Sequence, residues 1–159
     1  MVGFGYDIHR LAEGESLILG GVEIDSSFGT VAHSDGDVLL HALCDALLGA
    51  AGLGDIGEHF PDTDAAYKGI SSLELLRRVI ALLEKEQYQL INVDCTLVLE
   101  KPKILPYKAQ MRERIAEACS LPFQRVSLKA TTSEKLGFVG QGEGIEAYAV
   151  CQIEPLRGA

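Results

Sequence analysis

The chain has 159 residues, and we expect one domain, spanning residues 1–159, that is large enough to bury a hydrophobic core. Hydrophobic residues make up 47% of the sequence and charged residues 23%, which is ordinary for a globular protein. The formal net charge of −9 argues against a nucleic-acid partner, which would require a basic face. It does not exclude a phosphorylated ligand, because a bound metal ion can supply positive charge locally.

The sequence carries no sign of export or of a membrane span. It does not begin with a basic segment followed by an apolar run, and no apolar run reaches about 18 residues. The four cysteines form no CxxC pair and lie in apolar stretches, so we expect reduced, packed thiols. A cytoplasmic location fits these features, and no membrane partner is expected.

Apolar patterning predicts strands and helices in alternation along the chain. Strands are predicted at 2–9, at 16–24 (a pair, or one bulged strand around Gly20-Gly21), at 89–99, near 125–131 and at 145–153. Helices are predicted at 37–51, from the capping box Ser71-x-x-Glu74 to about Gln87, and from the turn at Pro102 and Pro106 to about Cys119. Residues 52–70 are predicted to form a long mobile loop, and 137–144 a glycine-rich connection. These elements predict an α/β fold (an α+β sandwich), with a mixed sheet and the three main helices on one face.

A candidate metal site combines a strand and a helix. Asp7 and His9 are two apart on a predicted strand, so their side chains point to the same face. His41 lies in an apolar helix, where a buried imidazole needs a polar partner. Two histidines and one carboxylate would leave one tetrahedral position open, as in catalytic zinc sites.

Several acidic residues around that helix have two possible roles. Asp35, just before the predicted helix, and Asp37, at its start, could cap it, since carboxylates favour a helix N-terminus. Asp45 is four residues after His41 and shares its helical face. The acidic segment 54–64 could contact sugar hydroxyls, form a lid or be a solvated loop.

A third polar segment, 129–138, joins a strand to the glycine-rich connection. Its hydroxyls and backbone N–H groups could hold phosphate oxygens, and Glu134 could ligate a hard cation such as Mg²⁺. The alternative is a polar turn with charges that face solvent.

These segments occur in the order typical of one enzyme family. The motifs are GYDIHR at 5–10, LGGVEI at 19–24, AHSDGDVLLHALCDALLGA at 32–50, GDIGEHFPDTD at 54–64, PK at 102–103, KATTSEKLGF at 129–138 and GEGI at 142–145. Over essentially its whole length the chain resembles the 2-C-methyl-D-erythritol 2,4-cyclodiphosphate synthases of the non-mevalonate isoprenoid pathway.

The resemblance implies a role for each matched position. Asp7, His9 and His41 would be ligands of Zn²⁺. Glu134 would ligate a second divalent cation, Mg²⁺ or Mn²⁺, that bridges the substrate diphosphate. His33 and Thr132 would be the catalytic residues that orient phosphate oxygens.

The resemblance also implies substrate contacts. Around the metal and the erythritol they are Asp7, His9, His33, Ser34 and Asp45, and in the substrate loop Asp55, Ile56, Gly57, Phe60, Pro61, Asp62, Thr63 and Asp64. Around the cytidine they are Leu99, Glu100, Lys101, Pro102, Lys103, Ile104, Leu105, Ala130, Thr131 and Thr132. The remaining contacts are Ser133, Glu134, Phe138 and Gln141.

The implied reaction closes a cyclic diphosphate on a cytidyl diphosphate substrate and releases CMP. The implied assembly is a homotrimer with its sheets around the three-fold axis and its sites between subunits. Apolar residues of both parities at 89–99 fit this, since a monomer would leave one apolar sheet face wet. The chain departs from the family at Gln141, commonly Arg, and at Tyr148, which is Glu in some members.

Two other functions use the same residues. A zinc-dependent phosphohydrolase would activate water and give a linear phosphate. A metal-stabilised binding module for isoprenoid diphosphates would show no turnover, and it would require a basic residue that Gln141 does not provide.

Overall fold

A computed structural model of the chain describes residues 1–156. The strands are β1 Val2–Glu13, β2 Leu17–Leu19, β3 Val22–Ile24, β4 Phe28–Val31, β5 Tyr88–Val98, β6 Val126–Thr131 and β7 Gly144–Pro155. The helices are α1 Val38–Ala50, α2 Ile56–His59, α3 Ser72–Lys85, α4 Lys108–Ala118 and α5 Gly137–Gly140. Short 3₁₀ turns lie at Ala65–Tyr67, Leu105–Tyr107 and Phe123–Arg125.

Five of the strands form one mixed sheet in the order β4-β1-β7-β5-β6. Neighbouring strands are antiparallel, except that β5 and β6 run parallel. Helix α1 packs on β1 and β7, α3 packs on α1 and β5, and α4 packs on β6 and α3. The predicted mixed sheet with three main helices on one face is confirmed.

Two glycines of β1 allow α1 to lie directly on the strand. A Cβ atom added at Gly3 would lie 1.8 Å from the carbonyl oxygen of Ala46, and one at Gly5 would lie 1.9 Å from that of Ala42. No side chain fits at either position, so the helix backbone contacts the strand there. This close contact determines where His41, next to Ala42, lies relative to Asp7.

A buried carboxylate fixes the start of α1. Asp37 is the N-cap of α1, and its Oδ1 accepts the Leu40 N–H at 3.1 Å. Its two oxygens also accept the N–H groups of Gly20 and Gly21 at 3.0 and 2.7 Å. These glycines form the tight turn of the β2–β3 hairpin with positive φ angles of 58° and 75°. Asp37 therefore confirms the capping interpretation and also joins the hairpin to the helix.

Several predicted boundaries change. Residues 52–70 are not one irregular loop, since they contain α2 and a 3₁₀ turn, and residues 137–144 contain α5. Strand β1 continues to Glu13, where it pairs with β4, a strand that the sequence patterning missed. The strand pair at 16–24 is confirmed as β2 and β3.

The side of the sheet opposite the helices carries exposed apolar side chains. On β1 and β7 these are Val2, Phe4, Ile8 and Val150, each more than 40% exposed. We call this surface the open sheet face.

The four cysteines are free and buried thiols at Cys44, Cys95, Cys119 and Cys151. Across residues 1–156, no helix is long and apolar enough to cross a membrane.

Candidate metal centre and active site

The structure brings Asp7, His9 and His41 together at the contact between β1 and α1. Asp7 Oδ2 lies 2.8 Å from His9 Nε2 and 3.2 Å from His41 Nδ1. The two imidazole nitrogens are 3.3 Å apart. Among residues 1–156 this is the only group of three such side chains with donor atoms this close together. We call these three residues the metal-donor cluster.

The geometry of the metal-donor cluster fits a tetrahedral ion. Donors about 2.0–2.1 Å from zinc are about 3.3–3.4 Å from one another at tetrahedral angles. The separations of His41 from Asp7 and from His9 are close to that value. The donor atoms of Asp7 and His9, 2.8 Å apart, would have to move apart slightly to bind the same ion. Two imidazoles and one carboxylate suit Zn²⁺ and leave one position for another ligand.

The charges of the cluster also suit a metal. Burial works to raise the pKa of Asp7, but hydrogen bonds from His41 and His9 outweigh it and lower the pKa to about 2. Burial lowers the pKa of His41, but the hydrogen bond to Asp7 and its charge outweigh burial, and the net shift is upward. The His9 and His41 side chains are only 15% and 12% exposed. A cation at this position would replace protons that the carboxylate otherwise attracts.

The other nitrogen of His41 contacts the start of α3. His41 Nε2 lies 2.9 Å from Ser72 Oγ and 3.5 Å from Ser34 Oγ. Ser72 also binds Asp35, through its hydroxyl and through its backbone N–H at 2.8 Å. Asp35, one of the two candidate caps of α1, therefore accepts N–H groups from the N-cap residue of α1, Asp37, and from the first residue of α3.

The predicted substrate loop is attached to α1 and α3 through defined contacts. Asp45 Oδ1 accepts the Ile56 N–H at 2.9 Å, which joins the start of α2 to the helix of His41. Burial raises the pKa of Asp45, and this hydrogen bond only partly offsets the effect. Phe60 packs edge-on against Tyr67, with ring centroids 5.2 Å apart, and Arg78 of α3 lies over the Tyr67 ring.

A second polar region, the Glu134 turn (residues 132–135), follows β6. Glu134 and Lys135 both have left-handed backbones, with φ angles of 54° and 62°, and the Glu134 N–H donates to Thr132 Oγ1 at 3.2 Å. Glu100 Oε1 accepts the N–H groups of Ser133 and Lys135 at 2.9 and 3.2 Å. Desolvation raises the pKa of Glu100, but these N–H groups outweigh it and the net shift is downward. Glu100 was predicted as a substrate contact, and here its side chain holds the turn.

The remaining predicted site residues are mostly exposed. His33 lies in the loop before α1, and Thr132 and Glu134 are exposed on the Glu134 turn. Of segment 99–105, Leu99 and Ile104 are buried, whereas Leu105 is 75% exposed. A cavity of about 230 Å³ lies nearby, lined by residues that include Glu100, Lys101 and Gln141. The described contacts do not join these residues to the metal-donor cluster, so their site roles stay predictions.

Sequence reasoning missed Ser72 as a residue of the site. Ser71-x-x-Glu74 was correctly identified as the cap of α3, and Ser71 Oγ accepts the Glu74 N–H at 3.5 Å. Gly3 and Gly5 were also available as a signal, since alternate glycines in a strand indicate close backbone approach.

A mixed sheet with an Asp-His-His cluster beneath one helix that could hold a metal ion defines a candidate metal-binding α/β protein. The model of the YgbB family matches residues 1–154, and the chain belongs to that family.

Relatives in this family have an established name. The chain is 61% identical over 153 residues to the 2-C-methyl-D-erythritol 2,4-cyclodiphosphate synthase of Symbiobacterium thermophilum, covering 96% of this chain and 98% of that protein. It is 60% identical over 153 residues to the enzyme of the same name from Chlorobaculum tepidum, with the same coverage of both chains.

Solved structures of similar proteins have the same fold as this chain. A 2C-methyl-D-erythritol-2,4-cyclodiphosphate synthase in a CDP-bound form superposes with a TM-score of 0.91 at 40% identity, covering 97% of this chain and 100% of that one. The bifunctional IspDF of Campylobacter jejuni superposes with a TM-score of 0.93 at 43% identity. There the match covers 98% of this chain but only 42% of the bifunctional protein.

Proposed function

We propose that this chain converts 4-diphosphocytidyl-2-C-methyl-D-erythritol 2-phosphate into 2-C-methyl-D-erythritol 2,4-cyclodiphosphate and CMP, in non-mevalonate isoprenoid precursor biosynthesis. The observation that carries the proposal is the metal-donor cluster, assembled in a chain about 60% identical to curated synthases over nearly its whole length. The name of those relatives supports the substrate, and the CDP-bound structural neighbour supports a site for a cytidine diphosphate.

The reaction is an intramolecular phosphoryl transfer. An oxygen of the 2-phosphate attacks the β-phosphorus and forms a new P–O bond. The bond from that phosphorus to the oxygen of CMP breaks, and CMP leaves with the electron pair. No water is consumed, which makes the enzyme a phosphorus–oxygen lyase. Such a reaction mainly requires positioning and neutralisation of charge.

Two cations would supply that neutralisation to an acidic protein. Asp7, His9 and His41 would hold Zn²⁺, which when bound supplies positive charge beside the diphosphate. Glu134, a carboxylate on an exposed turn, would share Mg²⁺ or Mn²⁺ with the substrate diphosphate. The donor types support this division, since imidazole suits zinc and carboxylate oxygen suits the harder cation.

The side chains of the protein itself would bind and orient the substrate. His33, Ser34 and Thr132 would donate hydrogen bonds to phosphate oxygens as charge develops on them. The segment from Asp55 to Asp64 would enclose the erythritol, and its attachment to α1 through Asp45 supports this. Residues 99–105 and 130–132 would enclose the cytidine.

We propose that the working assembly is a homotrimer with sites between subunits. The open sheet face supports it, because Phe4 and Val150, paired across β1 and β7, are 63% and 42% exposed in the single chain. Packing three such faces around one axis would remove them from water. Free thiols at all four cysteines support a reducing cytoplasmic location.

One experiment tests the activity directly. The purified protein is incubated with the cytidyl substrate, zinc and magnesium, and the products are followed by phosphorus NMR. Stoichiometric CMP and cyclic diphosphate are expected. A linear phosphate product would replace the proposal with a phosphohydrolase, and binding without turnover would replace it with a binding module.

A further inference from the structure

The two nitrogens of the His41 ring have different partners. Nδ1 faces the other members of the metal-donor cluster, at 3.2 Å from Asp7 Oδ2 and 3.3 Å from His9 Nε2. Nε2 lies on the opposite side of the ring, 2.9 Å from Ser72 Oγ. Ser72 is completely buried, and its hydroxyl also reaches Asp35 Oδ1.

The direction of these hydrogen bonds follows from the groups involved. A carboxylate only accepts, so the single Ser72 O–H donates to Asp35. The Ser72 oxygen then has only lone pairs to offer His41, and Nε2 of the imidazole must carry the proton. When His41 ligates a metal ion its imidazole is neutral and has one N–H, so with Nε2 protonated the Nδ1 lone pair is the one free to ligate.

We propose that Ser72 and Asp35 are positioning residues of the metal centre. The Asp35–Ser72–His41 chain of hydrogen bonds fixes the His41 tautomer and ring orientation, so that Nδ1 is the metal donor. This inference rests on the proposed zinc site. Partners of this kind orient ligating histidines in metal sites generally, and the serine here lies between the imidazole and the carboxylate.

The contacts of Ser72 with Asp35 also have a purely structural interpretation. Asp35 Oδ2 accepts the Ser72 N–H at 2.8 Å, which would by itself stabilise the start of α3. That contact uses the backbone and survives replacement of the Ser72 side chain. The neighbouring residue Ser71 is the N-cap of α3, and its hydroxyl accepts the Glu74 N–H without contacting His41. The two adjacent serines therefore separate helix capping from metal positioning.

The test compares Ser72→Ala with the matched control Ser71→Ala. The zinc dissociation constant of each full-length variant and of the unsubstituted protein is measured by competition with a chromophoric chelator. Ser72→Ala is expected to weaken zinc binding by about 10–100-fold. Ser71→Ala is expected to lower thermal stability and leave zinc affinity unchanged.

A second measurement needs no substitution. Nitrogen-15 NMR of the zinc-loaded protein reports which His41 nitrogen carries the proton. A proton on Nε2 and the metal on Nδ1 support the proposal, and the reverse arrangement overturns it even if Ser72→Ala does not fold. Equal zinc affinity in the two serine variants overturns the role of Ser72 and leaves the metal centre in place. If the unsubstituted protein binds no zinc, the metal centre and its positioning residues are both wrong.

Discussion

The metal-donor cluster and the Glu134 turn differ in how they are built. In the cluster, three donor atoms from a strand and a helix lie within 3.3 Å of one another, on side chains that are mostly buried. The Glu134 turn is an exposed loop with two consecutive left-handed residues. The Glu100 carboxylate holds it by accepting two of its backbone N–H groups. One region gathers its donors within a single chain, and the other presents one carboxylate to solvent.

This difference suggests that the two proposed cations bind in different ways. Rigid elements hold the metal-donor cluster, so the proposed zinc site would be complete before substrate arrives. The Glu134 turn offers one carboxylate, and a hard cation needs six or more oxygen ligands. Its remaining ligands would have to come from the substrate diphosphate and water. Zinc should therefore bind to the resting protein, and the second cation should bind together with substrate.

Removing a donor of the cluster should give the largest effect. His41→Ala leaves two ligands, so zinc content should fall to background and turnover by about 10³-fold or more, since metal charge supplies several kcal/mol at the transition state. The leucine packing around α1 should keep the fold, as seen by circular dichroism. Elemental analysis and the phosphorus NMR assay measure both effects. Full zinc occupancy in this variant would remove His41 from the ligand set.

Disrupting the open sheet face should prevent assembly of the complete active site and leave the metal-donor cluster of each chain intact. In a Phe4→Glu, Val150→Glu double variant, adjacent charges should prevent trimer assembly, and sedimentation should give the mass of one chain instead of three. Zinc should still bind once per chain with unchanged affinity. Turnover should fall by about 10²-fold or more, because substrate groups held by a second subunit lose their position.

The control for assembly is Ala81→Glu, which adds a charge at an exposed position of α3. It should leave the mass, zinc content and turnover unchanged. A double variant that is monomeric and fully active would contradict both the proposed trimer and the location of the site between subunits.

Changing the Glu134 turn should affect catalysis without affecting zinc. Glu134→Gln replaces a carboxylate with an amide, a poorer ligand for a hard cation, and should lower turnover by about 10²-fold at limiting magnesium. The zinc content should stay at one per chain. Glu143→Gln, at another exposed position, controls for the lost charge and should be fully active. Unchanged turnover of Glu134→Gln would make Glu134 only a loop charge.

Much of the fold and the metal-donor cluster could be predicted from local patterns. The spacing of Asp7 and His9 on a strand, and of His41 in an apolar helix, indicated three donors on facing surfaces. The family resemblance then implied that these three residues bind the same metal ion. The three helices followed from periodicity and caps, because Ser71 and Asp37 each accept an N–H of the first turn.

The parts that could not be predicted depend on contacts between distant segments. Asp35 precedes α1 in sequence but binds Ser72, 37 residues further on. The Glu100 carboxylate accepts the N–H of Ser133, 33 residues later, a contact that the sequence did not indicate. β4 is only four residues long and contains Gly29, so it has too little alternation to be recognised. Side-chain partners of this kind are determined by tertiary packing, which one sequence does not reveal.

The smallest predicted effect uses pH to compare the empty and loaded cluster. In the metal-free protein the pKa of His41 is raised in the folded state, above its unfolded value of about 6.5. Its contribution to stability is therefore present below about pH 6.5 and is lost as pH rises through the folded pKa. The unfolding temperature of metal-free protein should fall as pH rises above about 6.5, by about 2–4 °C for each kcal/mol lost.

Bound zinc should reverse that pH dependence of the unfolding temperature. A ligating imidazole must be deprotonated, so protons compete with the metal, and zinc affinity should rise by about tenfold per pH unit for each proton displaced. Asp7 does not limit this range, because its pKa of about 2 keeps it ionised. Calorimetry with saturating zinc and with chelator should thus give opposite pH dependences in the same protein. In chelator-treated His41→Ala the fall above about pH 6.5 should be absent, which separates this ring from other groups that titrate nearby. Parallel slopes with and without zinc would mean that His41 does not exchange its proton for the metal.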